Sequence, residues 1–276
     1  MPASLASATF KLNSGASIPQ VGLGVWQTAA GATTRAAVLA SLKVGYRHVD
    51  TARIYGNEAD VGEAVRDSGV PRGEIFVTTK LWNDDQGYDR ALRAFDASLE
   101  RLGLDYVDLY LLHWPVQGKR LESWRALEKL FAEKRARSIG VSNFMVPHLE
   151  ELLGSAKVVP AVNQIELHPF LQRRDTVALC RKAGIVVEAY SPLTRGRRLD
   201  DPAVVGIARR IGRSPAQVLL RWGLQHEWVV LPKSTRAERI AENGSIFDFT
   251  LDAAAIKALD GLEAGLATGW NPEGQD

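Results

Sequence analysis

Gly45-Tyr-Arg-His-Val-Asp50 is a β-prone, largely apolar run that stops on a polar residue able to do chemistry. Six later stretches repeat the pattern: Ile75-Phe-Val-Thr-Thr-Lys80, Val107-Asp-Leu-Tyr-Leu-Leu-His113, Ile139-Gly-Val-Ser-Asn143, Ala161-Val-Asn-Gln164, Ile185-Val-Val-Glu-Ala-Tyr190 and Val229-Val-Leu-Pro-Lys233. Their endpoints lie 30, 33, 30, 21, 26 and 43 residues apart, close to the ~31 residues of one strand–helix unit in an eight-unit barrel. In a parallel (β/α)8 barrel all strand ends meet on one face, where active sites are built. A rim carrying Asp, Lys, His, Asn, Gln, Tyr and Lys points to an enzyme.

The stretches between these runs are helical. Leu92, Phe95, Leu99 and Leu102 form one apolar stripe, and Leu121, Trp124, Leu127 and Phe131 form another, at the spacing of an α-helix. Strands that alternate with helices give a parallel sheet with right-handed connections. The runs Tyr110-Leu-Leu112 and Val186-Val187 are apolar on both faces, as parallel strands covered by helices require. Thr9-Phe-Lys-Leu12 and Ala16-Ser-Ile18 flank the turn Asn13-Ser-Gly15; this hairpin is expected to plug the bottom of the barrel ahead of a first strand near Gln20-Val-Gly-Leu23. Two helices opened by Pro202 and Pro215 precede the last strand. The fold is therefore read as α/β: a single (β/α)8 TIM barrel domain over residues 1–276, with the hairpin below and short loops at the C-terminal face. The tail, Gly269-Trp-Asn-Pro-Glu-Gly-Gln-Asp276, is expected over the mouth.

Composition narrows the function. The chain has 276 residues, 46% hydrophobic and 24% charged, with a net charge of +2, so nothing favours nucleic acid or an anionic membrane. The densest basic cluster, Arg195-Gly-Arg-Arg198, is short. No run of about 18 apolar residues marks a membrane span, and the N-terminus lacks the basic start and apolar core of a secretion signal. The single cysteine, Cys180, cannot form an internal disulfide and reads as a buried structural thiol of a cytoplasmic protein. The histidines at 48, 113, 148, 168 and 226 have no ligand spacing, so no metal is expected; His48 and His168 read as structural. Gly22-Leu-Gly24 lacks the third glycine of a dinucleotide-binding crossover.

Asp50, Tyr55, Lys80 and His113 form the candidate catalytic set. A tyrosine in water keeps its proton to about pH 10, and a nearby cation lowers that value. Lys80 is placed to supply the charge, Asp50 to hold the ammonium, and His113 to donate to a carbonyl oxygen. The plainer alternative is a rim ion pair between Asp50 and Lys80, with His113 a core residue.

The longer words resemble a family. Gly45-Tyr-Arg-His-Val-Asp50-Thr-Ala-Arg-Ile-Tyr55-Gly-Asn-Glu58, Thr78-Thr-Lys80-Leu-Trp82-Asn, Asp105-Tyr-Val-Asp-Leu-Tyr-Leu-Leu-His113-Trp-Pro and Ile139-Gly-Val-Ser142-Asn143-Phe look like an aldo-keto reductase over residues 10–249. The similarity is strongest to compact bacterial diketogluconate and glyoxal reductases. It implies reduction of aldehydes or ketones with NADPH, by hydride transfer with Tyr55 as general acid and Asp50, Lys80 and His113 completing the tetrad. It further implies that Ser142, Asn143 and Gln164 hold the nicotinamide carboxamide, that Tyr190 stacks on the ring, and that Ser191 and Leu193 join the cofactor contacts. Lys233, Ser234, Thr235 and Arg239 then match the adenosine 2′-phosphate site, with Glu242 and Asn243 at the adenine. Positive charge and hydroxyls there suit a phosphate, and no acidic residue stands ready for a free ribose hydroxyl.

Trp26, Trp82 and Trp114 follow the first, third and fourth strands and are expected to line the substrate site; Trp124 and Trp222 read as core. The short loop after His113 and the short tail suggest an open site for small aldehydes, dicarbonyls and keto sugars. Arg53 favours carboxylated substrates if it faces the mouth and is a surface charge if it faces the helices. The loop Leu193-Thr-Arg-Gly-Arg-Arg198 is too short for a long clasp over the cofactor. A small carbonyl compound is the expected partner of a monomer. Two rival readings are a non-catalytic NADPH-binding regulatory subunit and a Schiff-base aldolase using Lys80 or Lys233.

Overall fold

Alternate side chains of a parallel barrel strand point inward, and in this chain those inward positions change character from bottom to top. The computed structural model describes residues 4–273. It contains a hairpin of β1 (Thr9–Lys11) and β2 (Ser17–Pro19), then eight strands: β3 (Leu23–Gly24), β4 (His48–Asp50), β5 (Phe76–Leu81), β6 (Leu109–Leu112), β7 (Ile139–Ser142), β8 (Val162–Glu166), β9 (Val186–Tyr190) and β10 (Val229–Leu231). The eight pair in parallel in sequence order, and a bridge between Val21 and Val230 joins the two ends into a barrel. Helices α1 (Ala32–Lys43), α2 (Glu58–Asp67), α3 (Tyr88–Leu102), α4 (Arg120–Ala132), α5 (Val146–Leu153), α6 (Arg174–Lys182), α7 (Pro202–Ile211) and α8 (Pro215–Gln225) fill the connections, and α9 (Ala237–Gly244) and α10 (Ala253–Asp260) follow β10.

The first and last strands differ from the expected limits for a physical reason. Around Gly22 and Gly24 there is little side chain to pack, and β3 shrinks to Leu23–Gly24. β10 ends at Leu231 because Pro232 has no N–H to donate, although its carbonyl accepts from Gly24 N at 3.1 Å. Gly22 is itself required: a Cβ there would lie 2.7 Å from Nδ1 of His48 and 2.6 Å from Leu231.

The barrel floor is apolar. Leu12 and Ile18 of the hairpin region pack with Phe76, Leu109, Leu111, Val162 and Val229, which is the plug the sequence predicts. Outward residues such as Val77, Leu81, Tyr110, Leu112, Val141 and Ile165 pack against the helices in a second, larger cluster that also holds Trp124 and Trp222. Burial of this much apolar surface, at about 25 cal/mol per Å², is the main favourable term of folding. Two positions up, the interior turns polar on β4, β5, β8 and β9. Phe76 gives way to Thr78 and Lys80, Val162 to Gln164, Val186 to Glu188, and His48 leads to Asp50, all buried except the half-buried Val186. A polar group buried this way costs free energy unless it is bonded, so the upper layer is where a site is expected. Among the described residues, no helix is long and apolar enough to cross a membrane.

Candidate active site

Asp50 closes β4, Lys80 is the penultimate residue of β5 and His113 directly follows β6. Tyr55 ends the short 3-10 turn Arg53–Tyr55, whose chain leaves through Gly56 in a left-handed conformation at φ 69°. Two neighbours fix that turn. Thr51 Oγ1 donates to Asn57 Oδ1 at 2.7 Å, and Asn57 Nδ2 donates to the Val25 carbonyl at 3.0 Å. Glu58, at the start of α2, accepts from Thr79 Oγ1 and from Arg101 Nε at 2.6 Å each, tying helix to barrel.

The structure brings Asp50, Tyr55, Lys80 and His113 together. Lys80 Nζ donates to Asp50 Oδ1 and Oδ2 at 2.7 and 2.8 Å, to the Thr51 carbonyl at 2.9 Å, and to the Tyr55 hydroxyl at 3.3 Å. The ammonium is fully buried and Asp50 nearly so. The His113 ring stands edge-on to Tyr55 at 5.7 Å and to Trp82 at 5.2 Å. Burial and the charge on Lys80 hold His113 well below its ordinary range, so it is a neutral imidazole at pH 7 and donates through one ring N–H.

One electrostatic expectation fails. Lys80 was expected to lower the Tyr55 pKa, but burial first, then Asp50 and, once ionised, Glu188, hold the phenol well above its usual value. Burial is the main reason, and Asp50, which sits on Lys80 and offsets its charge, adds to it. A phenol held this way keeps its proton across the neutral range, which suits a proton donor.

Above the tetrad opens a cavity of about 1190 Å³. Its walls include all of Trp26, Trp82, Trp114, Ser142, Asn143, Gln164, Tyr190, Ser191, Leu193, Lys233, Ser234, Arg239, Glu242 and Asn243. Thr235 does not line it and is exposed; the chain turns away there toward α9. Arg53 is not on the wall either, but lies 3.6 Å from Asp85 as a half-exposed pair, so it is a surface charge.

The polar wall near Tyr55 is strongly interlinked. Tyr190 donates to Asn143 Oδ1 at 2.8 Å, and Asn143 Nδ2 donates to the His113 carbonyl at 3.0 Å and to Ser142 Oγ at 3.2 Å. Asn143 is held in the left-handed region at φ 62°. Gln164 Nε2 donates to Asp50 Oδ2 at 2.9 Å and to Glu188 Oε2 at 2.6 Å, so only its carbonyl oxygen remains for a ligand.

Several wall residues carried no clear sequence signal. Arg195, in the left-handed region at φ 53°, lies over the Trp26 ring at 4.2 Å and bridges two loops across the cavity. Ile54, Leu199 and Trp270 are also on the wall. Of the expected tail, residues 274–276 lie outside the described residues; its start does lie at the mouth, where Glu166 accepts from Thr268 N at 2.8 Å, from the Thr268 hydroxyl and from Gly269 N at 3.3 Å, and Trp270 meets Trp114 edge-on at 5.5 Å. Glu166 at the end of β8 was readable as a rim acid, but nothing in the sequence placed the tail against it.

The donor set fits a dinucleotide. Amide-compatible groups stand at one end beside Tyr55, and Lys233 and Arg239 stand at the other, with one continuous cavity between. Among the described residues, no group of three or more His, Cys, Asp or Glu side chains could hold a metal ion.

The model of the Aldo/keto reductase family matches residues 20–264. The chain belongs to that family. It is 53% identical over 268 residues to an aldo-keto reductase of Mycolicibacterium smegmatis, covering 96% of this chain and 97% of the relative. It is 49% identical over 273 residues to the glyoxal reductase of Bacillus subtilis, covering 99% of both. A Bombyx mori aldo-keto reductase solved in complex with NADP superposes with a TM-score of 0.88 at 37% identity, over 94% of each chain. This aldo-keto reductase is thus an oxidoreductase of carbonyl compounds on a (β/α)8 barrel, and it works with a nicotinamide cofactor.

Proposed function

We propose that this aldo-keto reductase uses NADPH in preference to NADH to reduce small aldehydes, dicarbonyls and keto sugars, with Tyr55 as proton donor. The observation that carries the reading is the buried Lys80 ammonium joining Asp50 to the Tyr55 hydroxyl at the floor of the cavity. The cofactor, when bound, supplies the hydride to the carbonyl carbon. Tyr55 gives its proton to the carbonyl oxygen, His113 donates a hydrogen bond to the same oxygen, and Asp50 with Lys80 holds the phenol in place. The Gln164 carbonyl oxygen accepts from the nicotinamide carboxamide, Ser142 and Asn143 hold its other side, and Tyr190 stacks on the ring with Ser191 and Leu193 beside it. Lys233, Ser234 and Arg239 take the 2′-phosphate, and Glu242 and Asn243 the adenine. Two cations at that end favour the phosphorylated dinucleotide.

Trp26, Trp82 and Trp114 form the substrate wall, an apolar enclosure of the kind that takes small molecules. The glyoxal reductase relative supports dicarbonyls as substrates. With Arg53 paired to Asp85, carboxylated substrates gain nothing from it. Lys80 is a poor amine nucleophile in its present ion pair, which disfavours a Schiff-base aldolase, and the full tetrad disfavours a purely regulatory role. We take the chain to act as a single-domain monomer in the cytoplasm. The test is a panel of methylglyoxal, a nitrobenzaldehyde, a keto ester and a diketogluconate with NADPH or NADH. Lys233→Ala and Arg239→Ala should each raise KM for NADPH by roughly 10-fold or more, the worth of a charge-assisted hydrogen bond, and leave KM for NADH nearly unmoved. Equal effects on both cofactors would overturn the assignment.

A further inference from the structure

Glu188 has no task in the reading above, yet it is buried inside the barrel and joined through Gln164 to Asp50. It is wholly buried on β9. Its Oε2 accepts from Gln164 Nε2 at 2.6 Å, and the same nitrogen reaches Asp50 Oδ2 at 2.9 Å. Two carboxyl groups therefore converge on one amide nitrogen. The groups facing them are few. β4 brings Asp50 and His48, whose Nε2 lies 3.7 Å from Glu188 Oε1 and 3.0 Å from Thr78 Oγ1. β5 brings Lys80, already bound by both oxygens of Asp50. The turn after β4 brings Tyr55, and the neighbouring strand β10 brings Val229, Val230 and Leu231, which do not titrate.

The interior thus holds two carboxyls and one ammonium. His48 adds no charge, because burial and Lys80 hold its pKa down to about 3. A second anion without a counter-ion is costly in such an interior, and two carboxyls at one site cannot both ionise easily. Glu188 Oε1 has no hydrogen-bond partner, so a proton placed there breaks no existing bond. Burial, then the charge of Asp50, push the Glu188 pKa up to about 8.

We propose that Glu188 is a positioning residue of the reductase site: as a neutral acid it anchors the Gln164 amide and keeps the buried charge beneath Tyr55 at one cation and one anion. The inference rests on the tetrad reading. Anchoring Nε2 inward turns the Gln164 carbonyl oxygen toward the cavity, as a carboxamide acceptor requires. When Glu188 ionises, a second negative charge strengthens the hold of Tyr55 on its proton, and Tyr55 becomes a weaker acid.

The experiment is a pH profile of single-turnover NADPH oxidation by stopped flow, in the unaltered enzyme and in Glu188→Gln. Gln keeps an acceptor for Gln164 and has no proton to lose. Between pH 7 and 9.5 the unaltered rate should fall by roughly five- to tenfold, as expected for a general acid made weaker, while the Glu188→Gln rate stays nearly flat. Superimposable profiles, with equal NADPH affinity, would overturn the proposal. Carbon-13 NMR of glutamate-labelled, unaltered protein needs neither turnover nor a folded variant. One glutamate carboxyl should titrate near pH 8, far above the rest. If every glutamate is ionised by pH 6.5 the proposal fails even where the tetrad stands; if the titration appears while Tyr55→Phe keeps full turnover, the tetrad reading fails instead.

Discussion

Removing both partners of the Asp50–Lys80 pair should cost no more than removing the worse one alone. Lys80 is fully buried, and its Nζ contacts Asp50 at 2.7 and 2.8 Å. At an effective dielectric of about 20, opposite charges this close attract by roughly 6 kcal/mol. A buried ion left without its partner typically costs about 3–5 kcal/mol. In Asp50→Asn the ammonium keeps the Thr51 carbonyl and the Tyr55 hydroxyl, which places that variant near the low end, at ~3 kcal/mol. In Lys80→Met the carboxylate keeps only Gln164 Nε2 at 2.9 Å, and the cost should reach ~4–5 kcal/mol. The double variant leaves no unpaired buried charge and should lose no more than the worse single one, a coupling of about 3 kcal/mol. Urea unfolding of the four proteins, followed by circular dichroism, measures the cycle. Additive single losses would refute the claim that the two side chains form one buried electrostatic unit.

Arg195→Ala removes the contact with Trp26 at 4.2 Å. Since Trp26 is 38% exposed, the loss should be ~0.5–1 kcal/mol, seen as a two- to fivefold faster release of NADPH in stopped-flow fluorescence. Cys180 is buried, and its thiol is pushed up to about 11; iodoacetamide should leave it untouched in the folded protein and label it fully in urea. His48 is held down to about 3 in the fold, below its unfolded value of about 6.5. The unfolded chain therefore binds a proton that the folded one refuses, so stability is present above pH 6.5 and is lost as pH falls toward 3. The slope is ~1.4 kcal/mol per pH unit for each such group, and urea midpoints at pH 7 and pH 5 measure it. Gly62→Ala would set a Cβ 1.8 Å from the Leu102 carbonyl oxygen, forcing α2 off α3 and lowering Tm by several degrees in calorimetry.

The barrel and its tetrad were legible because each strand ends on a distinctive residue in a run of fixed type. Asp50, Lys80 and His113 announce themselves by interrupting apolar stretches, and Tyr55 by its place in a long word. Of the residues read as cofactor and substrate contacts, the three tryptophans and most of the others lie on the cavity wall, while Thr235 does not and Arg195, Ile54 and Leu199 lie there unread. What stayed hidden depends on contacts between residues far apart in the chain. Arg195 reads as one arginine of a short basic loop until the fold lays it on Trp26. Glu166 and the tail at Thr268 lie 102 residues apart. Glu188 looks like part of a strand word, and only closure of the barrel brings it and Asp50 to the same nitrogen. The direction of the Tyr55 shift was misjudged for the same reason. A lysine beside a tyrosine lowers its pKa, but a lysine already held by an aspartate in a dry interior does not.

The most direct test of the central claim is turnover of methylglyoxal with NADPH in Tyr55→Phe, with cofactor binding followed by fluorescence quenching. Phe keeps the ring against Lys80 and His113 but has no proton to give. NADPH should bind with nearly unchanged affinity while kcat falls by about 10²–10⁴, the usual worth of a positioned acid. Turnover within threefold of the unaltered enzyme would contradict the assignment of Tyr55 as the proton donor.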